Sequence, residues 1–93
     1  MANPTISQIR HLIRTLNYVV STHAAEELED DNLSIIDLEN IILTGQVTER
    51  QRDARTRESK IVVSGITLDG SRAQAVVKVG ATGKLIVITV YVI

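Results

Sequence analysis

Among the titratable side chains, His23 sits in the setting best suited to proton transfer. It follows Ser21 and Thr22, either of which can cap a helix, and it precedes Glu26 and Glu27. Spacings of three and four residues bring side chains together on one helix face. An imidazole held by a carboxylate suits a general acid as well as a simple ion pair. The plainer reading of the same spacing is a helix-start residue bonded to a nearby carbonyl or carboxylate. His11 reads as a surface helix residue. A second candidate group follows from the alternation of strands, which puts Arg72, Gln74 and Lys78 on one face. Thr89 and Tyr91 share that face if it lies opposite the helices, with Ile86, Ile88, Val90 and Val92 taking the other parity. Arg72, Lys78, Thr89 and Tyr91 would then form a phosphate-binding surface, against the ordinary alternative of polar residues pointing outward. The candidate catalytic set is His23, Arg72, Lys78 and Tyr91.

Charge is distributed in blocks. Residues 26–39 hold seven carboxylates and no Lys or Arg, whereas residues 50–60 hold Arg50, Arg52, Arg55, Arg57 and Lys60 against Asp53 and Glu58. The basic block is the best electrostatic footprint for RNA or an acidic partner. No aromatic residue is interleaved with it, so the expected contact is with a backbone rather than with stacked bases. Such blocks are also ordinary solvated faces. The same pattern fits a homodimer in which each basic patch meets the partner's acidic patch. A net charge of −1 argues against strong nonspecific binding to nucleic acid.

These groups must be positioned by a small domain. Ninety-three residues, 44% of them apolar, make one domain that buries roughly 60–65% of its unfolded surface. With no Phe and no Trp, its core is built from Ile, Val, Leu and Ala. The absence of Cys excludes disulfides and thiolate metal sites, and two His residues are too few to suggest zinc. No cofactor or metal is expected. No signal peptide is visible and no apolar run reaches the ~20 residues of a membrane span, so a soluble protein of a reducing cytoplasm is expected.

Thr5 and Gln8 stand at capping-box spacing, opening a helix that carries Ile6, Ile9, Ile13 and Leu16 on one face. Tyr18-Val19-Val20 is an extended connector or short strand. A second helix carries Ala24, Ala25 and Leu28 toward the core and ends at Asp30, Asp31 and Asn32. Ser34 and Asp37 suggest another capping box, and Ile35, Leu38, Ile41 and Ile42 follow at helical spacing. Gly45 is expected to end this helix in the left-handed conformation. Residues 46–52 alternate loosely, and residues 53–58 read as an exposed charged turn. A strand at 61–68 leads through Asp69-Gly70 into a hairpin partner with Ala73, Ala75, Val77 and Val79 on one face. The β-branched run at 85–93 predicts a central strand, covered on both faces. The fold class is α+β: two or three N-terminal helices packed on one face of an antiparallel sheet of about four strands.

The order of these features resembles the bacterial family grouped as domain of unknown function 4258. The resemblance rests on Thr22-His23-Ala24, Leu33-Ser34, the helix end from Ile41 to Gly45, Gly65, and Ile88-Thr89-Val90-Tyr91. It covers roughly residues 18–91, within a family-like core at 18–93, with residues 1–17 as an additional helix. That family is in turn similar to RelE- and BrnT-like toxins, metal-independent endoribonucleases of bacterial toxin–antitoxin systems. The resemblance implies a sheet with helices on one face, an RNA-cleaving groove on the other, and RNA and an antitoxin-like protein as partners. An imidazole, a phenol and cations meet the needs of metal-free cleavage: proton transfer and stabilisation of a phosphorane. The chain departs from the family pattern at Glu27, where an Arg is expected, and at Asp31-Asn32, which replaces Arg-Gly. Negative charge thus stands where a phosphate would sit. The expectation becomes a catalytically inactive RNA- or protein-binding module, with the endoribonuclease as the alternative.

Overall fold

The computed structural model describes residues 4–52, 54, 55 and 58–93. Along the chain run α1 (Ile6–Arg14), β1 (Tyr18–Val20), α2 (Thr22–Asp30), α3 (Ile35–Thr44), β2 (Gln46–Arg52), β3 (Ser59–Ile66), β4 (Arg72–Val79) and β5 (Leu85–Val92). The helices begin where local hydrogen bonding directs them. Thr5 accepts from the Gln8 amide while the Gln8 side chain accepts from Thr5 N, and Ser34 and Asp37 repeat the arrangement at α3. Ser21 caps α2 by accepting from Ala24 N. The first two helices close alike. Asn17 N bonds Leu12 O and Leu33 N bonds Leu28 O, around left-handed Leu16 and Asn32. Asn tolerates that conformation, whereas Leu is strained there.

Five strands form one mixed sheet in the order β1-β5-β4-β3-β2. The fully antiparallel sheet of about four strands is therefore corrected. Tyr18, Val19 and Val20 pair in parallel with Leu85, Ile86 and Val87. Of the two readings of Tyr18-Val19-Val20, the short strand holds, but its parallel pairing with a strand far along the chain leaves no local signature. The Asp69-Gly70 turn links β3 and β4 as expected, with Gly70 at φ +87°.

One buried cluster unites Ile9 and Ile13 of α1, Ala24 and Leu28 of α2, and Leu38, Ile41 and Ile42 of α3 with sheet residues. The sheet contributes Ile61 and Val63, Ala73, Ala75 and Val77, and Leu85, Val87 and Val90. Fully burying each Val, Leu or Ile favours folding by roughly 1.5–3 kcal/mol, so aliphatics alone build this core. The face bearing these strand residues is the core face, and the other is the open face.

Several expectations need correction. Leu16 is 73% exposed because the chain reverses there after α1, and Ala25 is exposed while Ala24 and Leu28 turn inward. Gly45 is extended, at φ −85° and ψ 170°, not left-handed. Its glycine is required for another reason: an added Cβ would lie 2.5 Å from Ile41 O and 2.5 Å from Val63 Cγ1. In β5 the register slips, so that Val77 pairs with Val87 while Val76 pairs with Thr89, leaving Ile88 as an extra residue. Parity consequently switches there, and Leu85 and Val87 share the core face with Val90. This strand is interior over residues 85–87, but Tyr91, Val92 and Ile93 are exposed rather than covered on both faces. Among the described residues, no helix is long and apolar enough to cross a membrane.

Candidate binding surface

His23 occupies the first turn of α2, with Nε2 at 3.4 Å from Glu27 Oε1 and a side chain 69% exposed. The pairing with Glu27 is as the spacing implies, yet the ring faces largely to solvent. Glu27 has a further task. Its Oε1 accepts from Thr89 Oγ1 and from Val90 N at 3.0 Å. Beyond Val20, β1 no longer covers the outer edge of β5, and the carboxylate supplies the acceptor a strand would have offered. Ser21 completes the joint: its amide donates to Val87 O, and its hydroxyl donates to Ile88 O at 2.9 Å. The carboxylate in place of the expected Arg thus fastens a helix to a bulged strand.

The open face is organised by register. Ser64 pairs with Gln74, which pairs with Tyr91. Their side chains are linked in the same order: Tyr91 Oη donates to Gln74 Oε1, Gln74 Nε2 donates to Ser64 Oγ at 2.9 Å, and Ser64 Oγ lies 3.1 Å from Thr48 Oγ1. This polar ladder crosses four strands. Val76 and Thr89 form the next row, and Lys78 sits opposite Ile86 beyond it. Arg72 pairs with Ile66 at the other end. Six residues separate Arg72 from Lys78 on β4, which places them roughly 20 Å apart.

The candidate catalytic residues therefore do not converge. Tyr91 and Arg72 occupy adjoining rows, His23 lies around the β5 edge beside Thr89, and Lys78 is at the far end, where Nζ sits 2.9 Å from Glu58 Oε2. The basic block is likewise divided. Arg50 pairs with Ile61 and Arg52 with Ser59, so both belong to the core-face side, whereas Lys60 pairs with Gln51 on the open face. Arg50 Nη1 donates to Pro4 O at 2.9 Å, beside the start of α1. Arg55 is exposed in the turn after β2, and Arg57 lies outside the described residues. Among the described residues, no cluster of His, Asp and Glu is arranged to hold a metal ion.

The residues that sequence reasoning missed are connectors. Ser64 and Thr48 gave only the signal of small hydroxyls at strand spacing, and their meeting with Gln74 depends on register. Tyr18 is another: its hydroxyl donates to Glu39 Oε2 at 2.6 Å, joining β1 to α3. Burial first, then that hydrogen bond and the negative charge of Glu39, push the phenol up to about 12.

The family model for Domain of unknown function (DUF4258) matches residues 20–92. The chain belongs to this family, and the matched span takes in the α2–β5 joint and nearly all of the sheet. No curated protein and no solved structure matches it.

Proposed function

We propose that this protein is a non-enzymatic RNA-binding module, built on a RelE/BrnT-like arrangement with the three helices gathered over the core face. Single-stranded RNA lies along the open face. The carrying observation is the distribution of Arg72, Lys60, Lys78 and Tyr91. They share one face but spread along its length instead of surrounding a point. Spread cations can follow a phosphate backbone, with the Tyr91 ring available for base stacking. A phosphorane would need them together. The Glu27 carboxylate beside His23 adds negative charge where a cleaved phosphate would have to approach. The helical placement draws support from all three helices sharing the buried cluster with strand residues of one sheet face. The lack of cysteine suits a reducing cytoplasm.

Fluorescence anisotropy with a labelled single-stranded RNA tests this reading. Binding should weaken as salt rises, and Arg72→Glu with Lys60→Glu should abolish it. Absence of binding at low salt removes the RNA-binding reading, and capture of an antitoxin-like protein instead would replace it. The endoribonuclease alternative draws on one observation: exposed His23 and the Thr89 hydroxyl meet the same Glu27 oxygen, two residues along β5 from Tyr91. Metal-free cleavage of the same RNA, lost in His23→Ala, would establish it.

A further inference from the structure

At the end of the sheet where β5 finishes, a groove of about 450 Å³ opens between the α2–α3 connection and the β3–β4 turn. Leu33, Leu68 and Val92 give it apolar walls, and Asp31, Asp37 and Asp69 line it with carboxylates. Leu68 and Val92 are 61% and 41% exposed, unusual for large aliphatics facing one depression. Local hydrogen bonds favour the charged form of two of the carboxylates. Backbone hydrogen bonds from Ser34 and Leu68 hold the Asp37 carboxyl below its usual range, and the Thr67 and Ser71 hydroxyls, with the Ser71 amide, do the same for Asp69. Neither carboxylate has a cation partner among the described residues, and Asp31 has none either.

Arg72 lies at the groove's own end, paired with Ile66, whereas Arg52, Lys60, Lys78 and Lys84 lie at the opposite end. β3 runs from Ser59, paired with Arg52, to Ile66, beside the groove's turn, a length of roughly 23 Å. Arg52 is exposed, belongs to the core-face side, and makes no ion pair among the described residues. Lys84, in the turn before β5, is at this end as well. The length of β3 therefore separates the groove's three carboxylates from Arg52. At about 10 Å of screening length in ~0.1 M salt, they do not neutralise one another within one copy.

We infer that the groove receives the basic end of a second copy, the two chains lying antiparallel as a closed pair. Each Arg52 then reaches the other copy's Asp31, with its aliphatic stem against Leu68 and Val92. An antiparallel pair satisfies both grooves at once and closes by a two-fold axis. It leaves the open face uncovered, so this inference stands or falls separately from RNA binding.

Sedimentation velocity on the full chain and two charge reversals provides the test. Wild type should form a dimer that dissociates as salt rises. Asp31→Arg and Arg52→Glu alter exposed side chains, and each alone should weaken association by roughly tenfold or more. An equimolar mixture of the two variants should restore the dimer, because Arg at 31 then meets Glu at 52 while Asp31 meets Arg52. Circular dichroism confirms that each variant is folded. A monomeric wild type at low salt and high concentration overturns the proposal. So does a dimer indifferent to both reversals, or two defective variants that fail to rescue each other. Binding of an unrelated oligo-arginine peptide by a chain that stays monomeric also overturns it, in favour of another basic partner.

Discussion

Where α3 crosses β3, two glycines remove the side chains that would hold the backbones apart. Where α2 meets the free stretch of β5, a carboxylate spans the space instead. The first seam is so close that a Cβ on Gly65 would lie 2.0 Å from Ile41 O, with Gly45 Cα at 3.0 Å. At the second, Glu27 gathers Thr89 Oγ1, Val90 N and the His23 ring. Backbone-to-backbone packing tolerates almost no change of volume, whereas a polar strut can be loosened by losing one acceptor. Of the candidate residues, His23 lies at the looser joint, and the rigid seam holds the sheet that bears Arg72, Lys78 and Tyr91.

Gly65→Ala should break the rigid seam most severely. The clash is with main chain rather than with a flexible side-chain end, so β3 or α3 must move. A loss of roughly 3 kcal/mol or more is expected in urea unfolding, the scale of severe overpacking. A variant within about 0.5 kcal/mol of wild type would show that α3 can lift without cost, and the contrast between the joints would vanish.

Glu27→Ala attacks the other joint, leaving the Val90 amide and the Thr89 hydroxyl without their acceptor. Roughly 1–2 kcal/mol should be lost, because a buried donor is deprived while the apolar contacts of Ala24 and Leu28 remain. Amide exchange should localise the change. Val90 should exchange faster, with little effect at Val77, which is paired between two strands. Equal acceleration at both positions would mean that Glu27 supports the whole sheet.

What the sequence revealed follows the same division. Capping boxes at Thr5 and Ser34, the Asp69-Gly70 turn and the alternation of Ala73, Ala75 and Val77 are local patterns, and each reappears in the structure. The pairing of His23 with Glu27 is local as well. Long-range devices left no comparable trace. The parallel strand at Tyr18 depends on residues near 85, and the bulge at Ile88 is invisible in an unbroken β-branched run. Gly45 illustrates the limit, since its type reveals a need for glycine but not whether backbone angle or proximity imposes it. The candidate site suffered most. Parity assigns a residue to a face, but the distance from Arg72 to Lys78 and the split of Arg52 from Lys60 come from register.

Tyr18 links the two regions, as its strand pairs with β5 while its hydroxyl reaches Glu39 on α3. Its phenol is raised from 10.0 to about 12, so the folded chain holds the proton more firmly than the unfolded chain. The resulting stabilisation is fully present below pH 10 and is lost as pH rises through about 12. Tyr18→Phe should lower neutral-pH stability by about 1 kcal/mol and flatten the decline in unfolding free energy across that window. An unchanged alkaline slope would assign the decline to other groups and leave the two joints uncoupled.

His23→Ala should have the smallest effect, and it decides how the polar joint is shared. The imidazole is mostly solvent-exposed and 3.4 Å from Glu27, the geometry of a surface pair worth roughly 0–1 kcal/mol. Helix position works against even that. In the first turn of α2, a protonated ring faces the positive end of the helix dipole, which offsets part of the attraction to Glu27. Thr89 Oγ1 and Val90 N still bond the carboxylate when the ring is gone. The expected change is therefore under about 0.5 kcal/mol at pH 7 by urea unfolding, with Val90 exchange unaltered. A loss above about 1 kcal/mol would make His23 part of the strut, and its substitution could no longer separate structure from chemistry. With stability unchanged, any difference between His23→Ala and wild type toward RNA belongs to the imidazole itself, in contrast to Glu27→Ala, where a shifted β5 edge would be included.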